Sequence, residues 1–297
     1  MLLRSLKKDT PVNLYKNNDQ RSDTWKRFCK NKAALVGLVV VIVYIIIALL
    51  ADVIVPYENC ITQDASIRLQ GPSAEHYFGP DEFGRDIFAR IVHGSRRSLS
   101  LGVVSTVVSM VIGCALAAIC GYYGGVIDTV IMRVCDVFTC IPTFLFALSI
   151  VAALGASLTN LLIAITIVNV PYYVRMVRSI ILAVCQEDYV EAARACDTRG
   201  FKMITRHLLP NCMGPIIVEA SMSVADMLLA AAGLSFIGMG IQPPEPEWGA
   251  MLSSARQYMS AKPYILIFPG LAITIASLSL NMMGDGLRDA LDPRLKE

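Results

Sequence analysis

Residues 33–51 form an apolar run, AALVGLVVVIVYIIIALLA, that contains no charged side chain. A helix needs about 20 consecutive apolar residues to cross the hydrocarbon core of a bilayer, so this run predicts a membrane-spanning helix. It is longer than the apolar region of a secretory signal peptide, and a polar, basic segment, residues 1–32, precedes it. We therefore expect the run to remain in the protein as an anchor.

Five further apolar windows follow along the chain. Three of them contain no Asp, Glu, Lys or Arg: Leu99 to Gly121, Ala156 to Val174 and Tyr264 to Gly284. The hydrophobic share of 55%, the charged share of 17% and the mean hydropathy of +0.56 are typical of a membrane protein, since soluble domains rarely have this composition. The sequence therefore predicts an all-α membrane protein with six transmembrane helices.

The other two windows carry polar or helix-breaking residues. Val134 to Leu154 has Pro142 within the run, which predicts a spanning helix with a kink. Gly214 to Ile241 contains Glu219 and Asp226, and a carboxylate inside a membrane costs about 2.5 kcal/mol or more unless it faces protein or water. We expect both windows to cross the membrane.

The distribution of lysine and arginine predicts the orientation of these helices, because basic residues are retained on the cytoplasmic side. With the N-terminus inside, nineteen of the 26 basic residues fall in cytoplasmic segments and seven in outer loops. Both chain termini are then cytoplasmic. The formal net charge of +2 is explained by this asymmetry and gives no reason to expect a nucleic-acid partner.

The windows and charges divide the chain into five segments. We expect a cytoplasmic N-terminal tail (1–32), a first transmembrane helix (33–55), an extracytoplasmic loop (56–98), a core of five transmembrane helices (99–284) that includes a cytoplasmic hairpin (179–212), and a cytoplasmic C-terminal tail (285–297).

A charged segment separates two of the apolar windows. Asp188 followed three residues later by Glu191 predicts a capping box at a helix start, and Gly200 predicts a helix stop. Pro210 is expected to end the helix that begins after this glycine. The pattern predicts two short helices that meet at a turn, as in a docking element.

This hairpin resembles the EAA loop of the membrane subunits of bacterial ATP-binding-cassette (ABC) importers. Asp197 stands where that family usually has glycine, and Gly200 lies three positions further on, which predicts a shifted or differently shaped turn. The resemblance implies docking on an ATPase, against the alternative of an exposed charged pair worth well under 1 kcal/mol. The implied docking residues are Glu191, Ala192, Ala193, Arg194, Asp197, Gly200, His207, Leu209 and Pro210.

The predicted outer loop resembles one subgroup of the same family. Residues 76–86 read HYFGPDEFGRD, which is similar to the C-type permease subunits of dipeptide, oligopeptide and nickel importers. Phe83, Ile87 and Ile91 recur at helical spacing, so we expect an amphipathic helix along the outer surface, with anchoring favoured over substrate contact. Further similarities to the subgroup are GYYGG at 121–125, LSFIGMG at 234–240, PPEPEWGAML at 243–252 and GDGLRDALDPR at 284–294.

The resemblance implies a type I ABC importer permease fold and the import of small peptides; a nickel importer of the same family is the alternative. The implied partners are a homologous second permease subunit that forms a heterodimer with this chain, two cytoplasmic ATPase subunits, an extracytoplasmic solute-binding protein and the lipid bilayer. Because the sequence contains no GxxxxGK[ST] phosphate loop, we expect ATP and magnesium to bind the partner subunits. This chain is expected to hold no cofactor and to be no enzyme.

Polar side chains within the apolar windows mark a candidate route for a polar solute. Glu219 and Asp226 are seven residues apart and so share one helical face, where a carboxylate suits a peptide ammonium group or a metal cation. Asn160, Asn169 and Asn281 are further candidates for the route. For these three asparagines, hydrogen bonds to neighbouring helices are the favoured explanation.

Two alternatives to transport belong to different classes. An intramembrane aspartyl protease would need Asp136 and Asp226 to share a proton, but their windows place them at different depths. A peptide-sensing receptor is not expected because no signalling domain is evident. The nine cysteines lack a CxxC pair and the three histidines fall on separate loops, so we expect neither a disulfide framework nor a metal site.

Overall fold

The structure is a computed structural model that describes residues 19–291, with side chains from residue 24 onward. Within this range all regular elements are helical, and Pro80 and Asp86 form an isolated extended bridge. The helices are α1 (Asp19–Lys30), α2 (Lys32–Leu49), α3 (Ala51–Ile54), α4 (Glu58–Ile61), α5 (Ile87–Tyr123), α6 (Gly125–Thr139), α7 (Thr143–Leu154), α8 (Leu158–Val184), α9 (Asp188–Ala195), α10 (Gly200–Met203), α11 (Leu209–Phe236), α12 (Trp248–Ala255) and α13 (Tyr264–Leu291). A π-helical turn, Ile204–Leu208, joins α10 to α11, and a 3-10 turn, Arg256–Tyr258, follows α12.

Five helical units are long and apolar enough to cross a membrane: α2, α5, α8, α13 and the continuous unit Gly200–Phe236. The helices α6 and α7 pass the same test only together, and they are bent by 86° at the break before Thr143. The all-helical membrane architecture predicted from the sequence is thus confirmed within the described residues. The number of candidate spans is five, or six if the bent pair is one span.

Three helical elements differ in extent or shape from the apolar windows of the sequence. The window at Leu99 belongs to α5, which already begins at Ile87, so residues 87–98 are the first turns of a spanning helix. They therefore form no separate amphipathic helix on the surface. The window 134–154 is the bent pair α6 and α7 instead of one kinked helix. The window at 214 belongs to the unit that begins at Gly200.

The chain ends also differ from the predicted tails. Residues 1–18 and 292–297 of those tails lie outside the described residues, but residues 19–30 form α1. Phe28 of this helix is buried against Ala34 and Ala290, so α1 packs on α13. At the other end, α13 continues to Leu291, past the expected boundary at residue 284.

The centre of the fold is the close packing of α5 against α8. A Cβ at Gly113 would lie 2.3 Å from Cβ of Tyr173, and a Cβ at Gly121 would lie 2.6 Å from the Ile181 side chain. Glycine is therefore needed at both positions for the two backbones to approach this closely, as is common between membrane helices.

The segment 56–86, here called the outer cap after its expected location, is held by buried charges. Asp81 accepts a hydrogen bond of 2.7 Å from Nε of Arg85, and both side chains are at most 5% exposed. Arg90, at the start of α5, donates to the carbonyl oxygens of Cys60 (2.9 Å) and Pro244 (3.2 Å). These charges are interior groups of a folded cap, so the FGPDEFGRD motif has a structural explanation.

The start of α5 is set by Asp86, whose carboxylate accepts a hydrogen bond of 2.9 Å from the Ala89 N–H. A carboxylate at this position satisfies one of the free N–H groups of the first helical turn. Arg90 and His93 belong to the predicted extracytoplasmic loop 56–98, but both lie in the first turns of α5. In the structure each is 3% exposed and bonded to a carbonyl oxygen.

The segment 243–252 forms the entry to α12 at the same end of the molecule. Glu247 caps α12 by accepting 2.8 Å hydrogen bonds from the N–H groups of Gly249 and Ala250, and burial raises the pKa of its carboxyl. Trp248 is fully buried and donates from Nε1 to the carbonyl oxygen of Ile91 at 3.0 Å. These bonds attach α12 to the first turns of α5.

We expect Asp81→Asn to destabilise the outer cap by about 3–5 kcal/mol, because the uncharged amide leaves the buried Arg85 without its counter-charge. The measurement is the thermal unfolding midpoint of the detergent-solubilised chain. Glu82→Gln is the matched control. Burial already raises the pKa of Glu82, and its oxygen lies 3.5 Å from Arg85 Nη2, so this change should lower the midpoint far less. Equal losses for the two variants would contradict the assignment of Asp81 as the counter-charge.

Candidate functional site

The first candidate site is the hairpin formed by α9, α10 and the π-helical turn, residues 188–208. Glu187 is the N-cap of α9 and its side chain makes no cap hydrogen bond, so the predicted capping box of Asp188 and Glu191 is not formed. The two acidic side chains instead lie in the first turn of α9, where they complement the helix dipole. The predicted helix start is therefore correct in position but not in mechanism.

The turn after α9 is built around Asp197. Its φ of 57° is left-handed, its N–H donates to the Arg194 carbonyl oxygen at 3.0 Å, and the Thr198 N–H donates to the Ala193 carbonyl oxygen at 3.0 Å. This pair of bonds is the Schellman arrangement, in which glycine is usual at the left-handed position. The prediction of a shifted turn was wrong, because Asp197 itself adopts the conformation for which glycine is usual.

Gly200 begins the second half of the hairpin and does not stop a helix. It has a φ of 59°, and its N–H donates to the hydroxyl of Tyr122 at 2.8 Å. Tyr122 lies in the penultimate position of α5, within the GYYGG motif. The motif thereby ties the end of α5 to the turn of the hairpin.

Pro210 does not end a helix either. It lies at the start of α11, directly after the π-helical turn, and the helical unit runs on to Phe236. Proline lacks an N–H and crowds the carbonyl four residues earlier, and a π-helical turn widens the backbone at such a point. The second helix of the hairpin is therefore continuous with a candidate membrane span.

One face of the hairpin is buried against α5 and α8. Val190, Met203 and Leu208 are fully buried in one apolar cluster that also contains Val177 and Ile181 of α8. Burying each large apolar side chain contributes about 1.5–3 kcal/mol, so this face fixes the hairpin to the two central helices.

The opposite face of the hairpin is exposed. Among the predicted docking residues, Ala193, Gly200, His207 and Leu209 are half-buried, whereas Glu191, Ala192, Arg194, Asp197 and Pro210 are exposed. The sequence analysis missed Phe201, an aromatic side chain that is 78% exposed directly after the turn. An unpaired phenylalanine between Gly200 and Lys202 in an otherwise polar stretch was the available signal.

The predicted pathway acids lie beside two different cavities. Glu219 lines a cavity of about 400 Å³ between α8, α11 and α13, and it accepts a hydrogen bond from the Tyr172 hydroxyl. Asp226 lines a cavity of about 270 Å³ together with Asn169. That the two acids line one continuous route stays a prediction.

The three predicted asparagines differ in environment. Asn169 is buried and donates to Ser109 on α5 at 3.1 Å, a bond between helices of the favoured kind. Asn160 donates to the carbonyl oxygens of Leu154 and Gly155 and so closes the turn between α7 and α8. Asn281 is half-buried in α13.

Asp136, the second acid of the protease alternative, belongs to an ion-pair ladder between α6 and α8. The Asp136 carboxylate lies 2.8 Å from Arg175 Nη2. Asp128 and Arg178 form a bidentate salt bridge, in which Nε and Nη2 of Arg178 each donate to one carboxylate oxygen at 2.5 Å. A carboxylate held as the partner of arginine is suited to bind charge and not to activate water. Among the described residues no group of three or more His, Cys, Asp or Glu is arranged to hold a metal ion.

The sequence comparisons define the class of protein. The pattern of the family described as "binding-protein-dependent transport system inner membrane component" matches residues 110–297, and the N-terminal transmembrane domain of oligopeptide transport permease C matches residues 20–72. The chain belongs to this family of transport permeases, and it is a multi-pass membrane protein. The family resemblance drawn from the EAA-like hairpin and the outer motif is confirmed.

Individual relatives cover nearly the whole chain. The chain is 46% identical to the dipeptide transport system permease protein DppC of Alkalihalophilus pseudofirmus, over 92% of this chain and 90% of that protein. It is 42% identical to the glutathione transport system permease protein GsiD of Pectobacterium atrosepticum, with the same coverage. It is 41% identical to the di/tripeptide transport system permease protein DppC of Pseudomonas aeruginosa, over 92% of this chain and 91% of that protein.

A solved structure shows the same fold. A chain of the MetNI methionine ABC transporter, crystallised in inward-facing conformations, aligns with a TM-score of 0.55 over 68% of this chain and 96% of its own length. The sequence identity is 17%, so this likeness establishes the permease fold and nothing about the solute.

We expect Asp197→Gly to stabilise the hairpin by about 1 kcal/mol, because glycine adopts the left-handed conformation without the steric cost of a Cβ. Hydrogen exchange of the amides of residues 188–208 should slow accordingly. Asp197→Val is the matched contrast, since a β-branched residue is strongly disfavoured at positive φ. Faster exchange in the glycine variant than in the native chain would contradict the Schellman turn.

We expect Phe201→Ala to weaken binding of a purified ATPase partner by about tenfold or more while leaving the fold intact, because aromatic side chains, phenylalanine included, are enriched in the cores of protein interfaces. The measurement is the dissociation constant of the solubilised complex. Lys202→Ala is the control on the neighbouring exposed position. An unchanged dissociation constant for Phe201→Ala would exclude this side chain from the interface.

Proposed function

We propose that this chain is the membrane subunit of an ATP-driven importer of small peptides, and that residues 188–208 form its docking hairpin for an ATPase. The observation that carries the proposal is the two-faced hairpin. Its apolar face is buried against α5 and α8, while Glu191, Arg194 and Phe201 are exposed. An element that is fixed on one side and presents charge and an aromatic ring on the other is suited to transmit force.

The hairpin connects to the membrane in a way that supports this role. From Gly200 to Phe236 the backbone is helical without a break, so displacement at Phe201 moves the outer part of α11 as well. The Tyr122 contact and the Val190 cluster attach the same hairpin to α5 and α8. Closure of an ATPase on the exposed face would thus rotate three helices as one body.

The family, whose description names a binding-protein-dependent transport system, supports a set of partners. We propose two cytoplasmic ATPase subunits that bind ATP and magnesium, a homologous second permease subunit, and an extracytoplasmic solute-binding protein. The chain itself then hydrolyses no ATP. Both of its ends and the hairpin would be cytoplasmic, as the basic residues Arg194, Arg199, Lys202 and Arg206 of the hairpin favour.

The solute is proposed from the relatives. Proteins named for dipeptide, di/tripeptide and glutathione transport are each at least 41% identical to this chain over 92% of its length. The solutes in all three names are small peptides. Nickel is the alternative solute drawn from the sequence, and the uptake experiment below tests it alongside a dipeptide.

We expect Glu191→Ala to lower ATP-driven uptake of a labelled dipeptide by about tenfold or more, because a charge-assisted hydrogen bond is worth about 1.5–3 kcal/mol. The measurement uses proteoliposomes with the complete transporter and its binding protein, with dipeptide and nickel assayed separately. Amounts of assembled complex are compared in parallel.

Glu58→Ala is the matched control, since Glu58 is an exposed glutamate in the first turn of a short helix outside the hairpin. The Glu58→Ala transporter should bind the ATPase subunits as the wild type does. Wild-type uptake of nickel without dipeptide would refute the peptide proposal. Full dipeptide uptake by Glu191→Ala would refute the coupling role of this residue.

A further inference from the structure

The cavity beside Glu219 holds opposite charges on two helices. Glu219 on α11 and Arg288 on α13 both line this space of about 400 Å³, and Met176, Ile180, Val218 and Met222 supply apolar walls. Within the described residues Glu219 bonds to Tyr172, and no ion pair joins it to Arg288. An acid and a base thus face one cavity without neutralising each other.

The two charges lie at the same level of the fold. A Cβ at Gly284 would lie 2.7 Å from the Met222 side chain, which puts these two residues side by side. Further along α13, Arg288 and Leu291 share the cavity with Gly214 and Pro215, so α11 and α13 run antiparallel here. Arg288 lies four residues beyond Gly284, which is about 6 Å along the axis of α13. Because α11 runs in the opposite direction, Arg288 is level with the segment four residues before Met222, around Val218 and Glu219.

Glu219 is half-buried in a candidate membrane span, where a carboxylate is unfavourable unless it faces a partner or a wet cavity. Arg288 is exposed in the last turn of α13. Direct pairing would be the cheapest arrangement, and Arg178 with Asp128 shows that this protein does form such pairs. A site that keeps Glu219 and Arg288 apart is complementary to a molecule that carries both charges itself.

We propose that this cavity binds the zwitterionic form of a small peptide, with Glu219 facing the ammonium group and Arg288 facing the terminal carboxylate. The inference rests on the proposed peptide-import function and names the site and the chemistry of recognition. One oxygen of Glu219 accepts from Tyr172 and the other remains for the ammonium group. Arginine is suited to the carboxylate because its planar group can donate two parallel hydrogen bonds.

The walls of the cavity fit a variable ligand. Met176 and Met222 are unbranched and adapt to different shapes, so peptide side chains of different size can be accommodated between the two charged groups. Recognition then depends on the termini that all small peptides share. In the proposed orientation the cavity lies in the cytoplasmic half of the helices. It would therefore be the last site that the solute contacts before it leaves the protein.

The test is direct binding of radiolabelled L-alanyl-L-alanine to the assembled permease and ATPase complex in nanodiscs, without the solute-binding protein. Competition by the unlabelled dipeptide, its N-acetyl derivative and its C-terminal amide measures the contribution of each terminus. We expect the wild-type complex to prefer the free dipeptide over either derivative by about tenfold or more, as for a lost charge-assisted hydrogen bond.

The variants separate the two charges. Glu219→Gln, which still accepts from Tyr172, should lose discrimination against the N-acetyl derivative only. Arg288→Gln should lose discrimination against the amide only. Arg288→Lys should restore it in part, because lysine keeps the charge but cannot donate two parallel hydrogen bonds. Asp285→Asn and Arg133→Gln, which change exposed charges outside the cavity, should behave as wild type.

Three results would overturn the inference. The first is no binding of the dipeptide by the wild-type complex, and the second is unchanged terminal discrimination in both Glu219→Gln and Arg288→Gln. The third is equal loss of binding for all ligands in a variant that assembles normally, because it indicates a structural role. Uptake assays with the binding protein run in parallel. If wild-type uptake of dipeptide is present in any of these cases, the cavity assignment fails while the importer function stands.

Discussion

The close approach of α5 to α8 is the contact on which the rest of the structure depends. Gly113 and Gly121 allow Tyr173 and Ile181 to reach the backbone of α5, and neither position has room for a Cβ. Because α5 carries the outer cap at its start and Tyr122 at its end, this one packing contact holds both ends of the molecule. The hairpin and the cap are thereby parts of one framework although they lie at opposite ends of α5.

The framework explains how one chain combines rigidity with exposed polar groups. Where charge is structural, as for Asp81 and Arg85, the side chains are buried and directly paired. The charged side chains of the hairpin and of the end of α13, such as Glu191, Arg194 and Arg288, are exposed. The same distinction separates Asp136, held by Arg175, from Asp226, which faces a cavity.

The sequence predicted the apolar helices and the presence of a charged hairpin, because both depend on local composition. It could not predict that Arg90 and His93 are interior, since their partners Pro244 and Val55 are distant in sequence. It also misjudged Gly200 and Pro210, whose usual roles as helix breakers are overridden by the Tyr122 contact and the π-helical turn. Phe201 was missed because burial of an aromatic residue is the normal expectation.

The bonds of the outer cap have a consequence for biosynthesis. Arg68 donates to the hydroxyl of Tyr258 and the hydroxyl of Tyr264 donates to the carbonyl oxygen of Gln70, contacts that span about two-thirds of the chain. Domains fold as the ribosome delivers them, N-terminal parts first. The segment 56–86 therefore cannot complete these two contacts until the final third of the polypeptide has been synthesised.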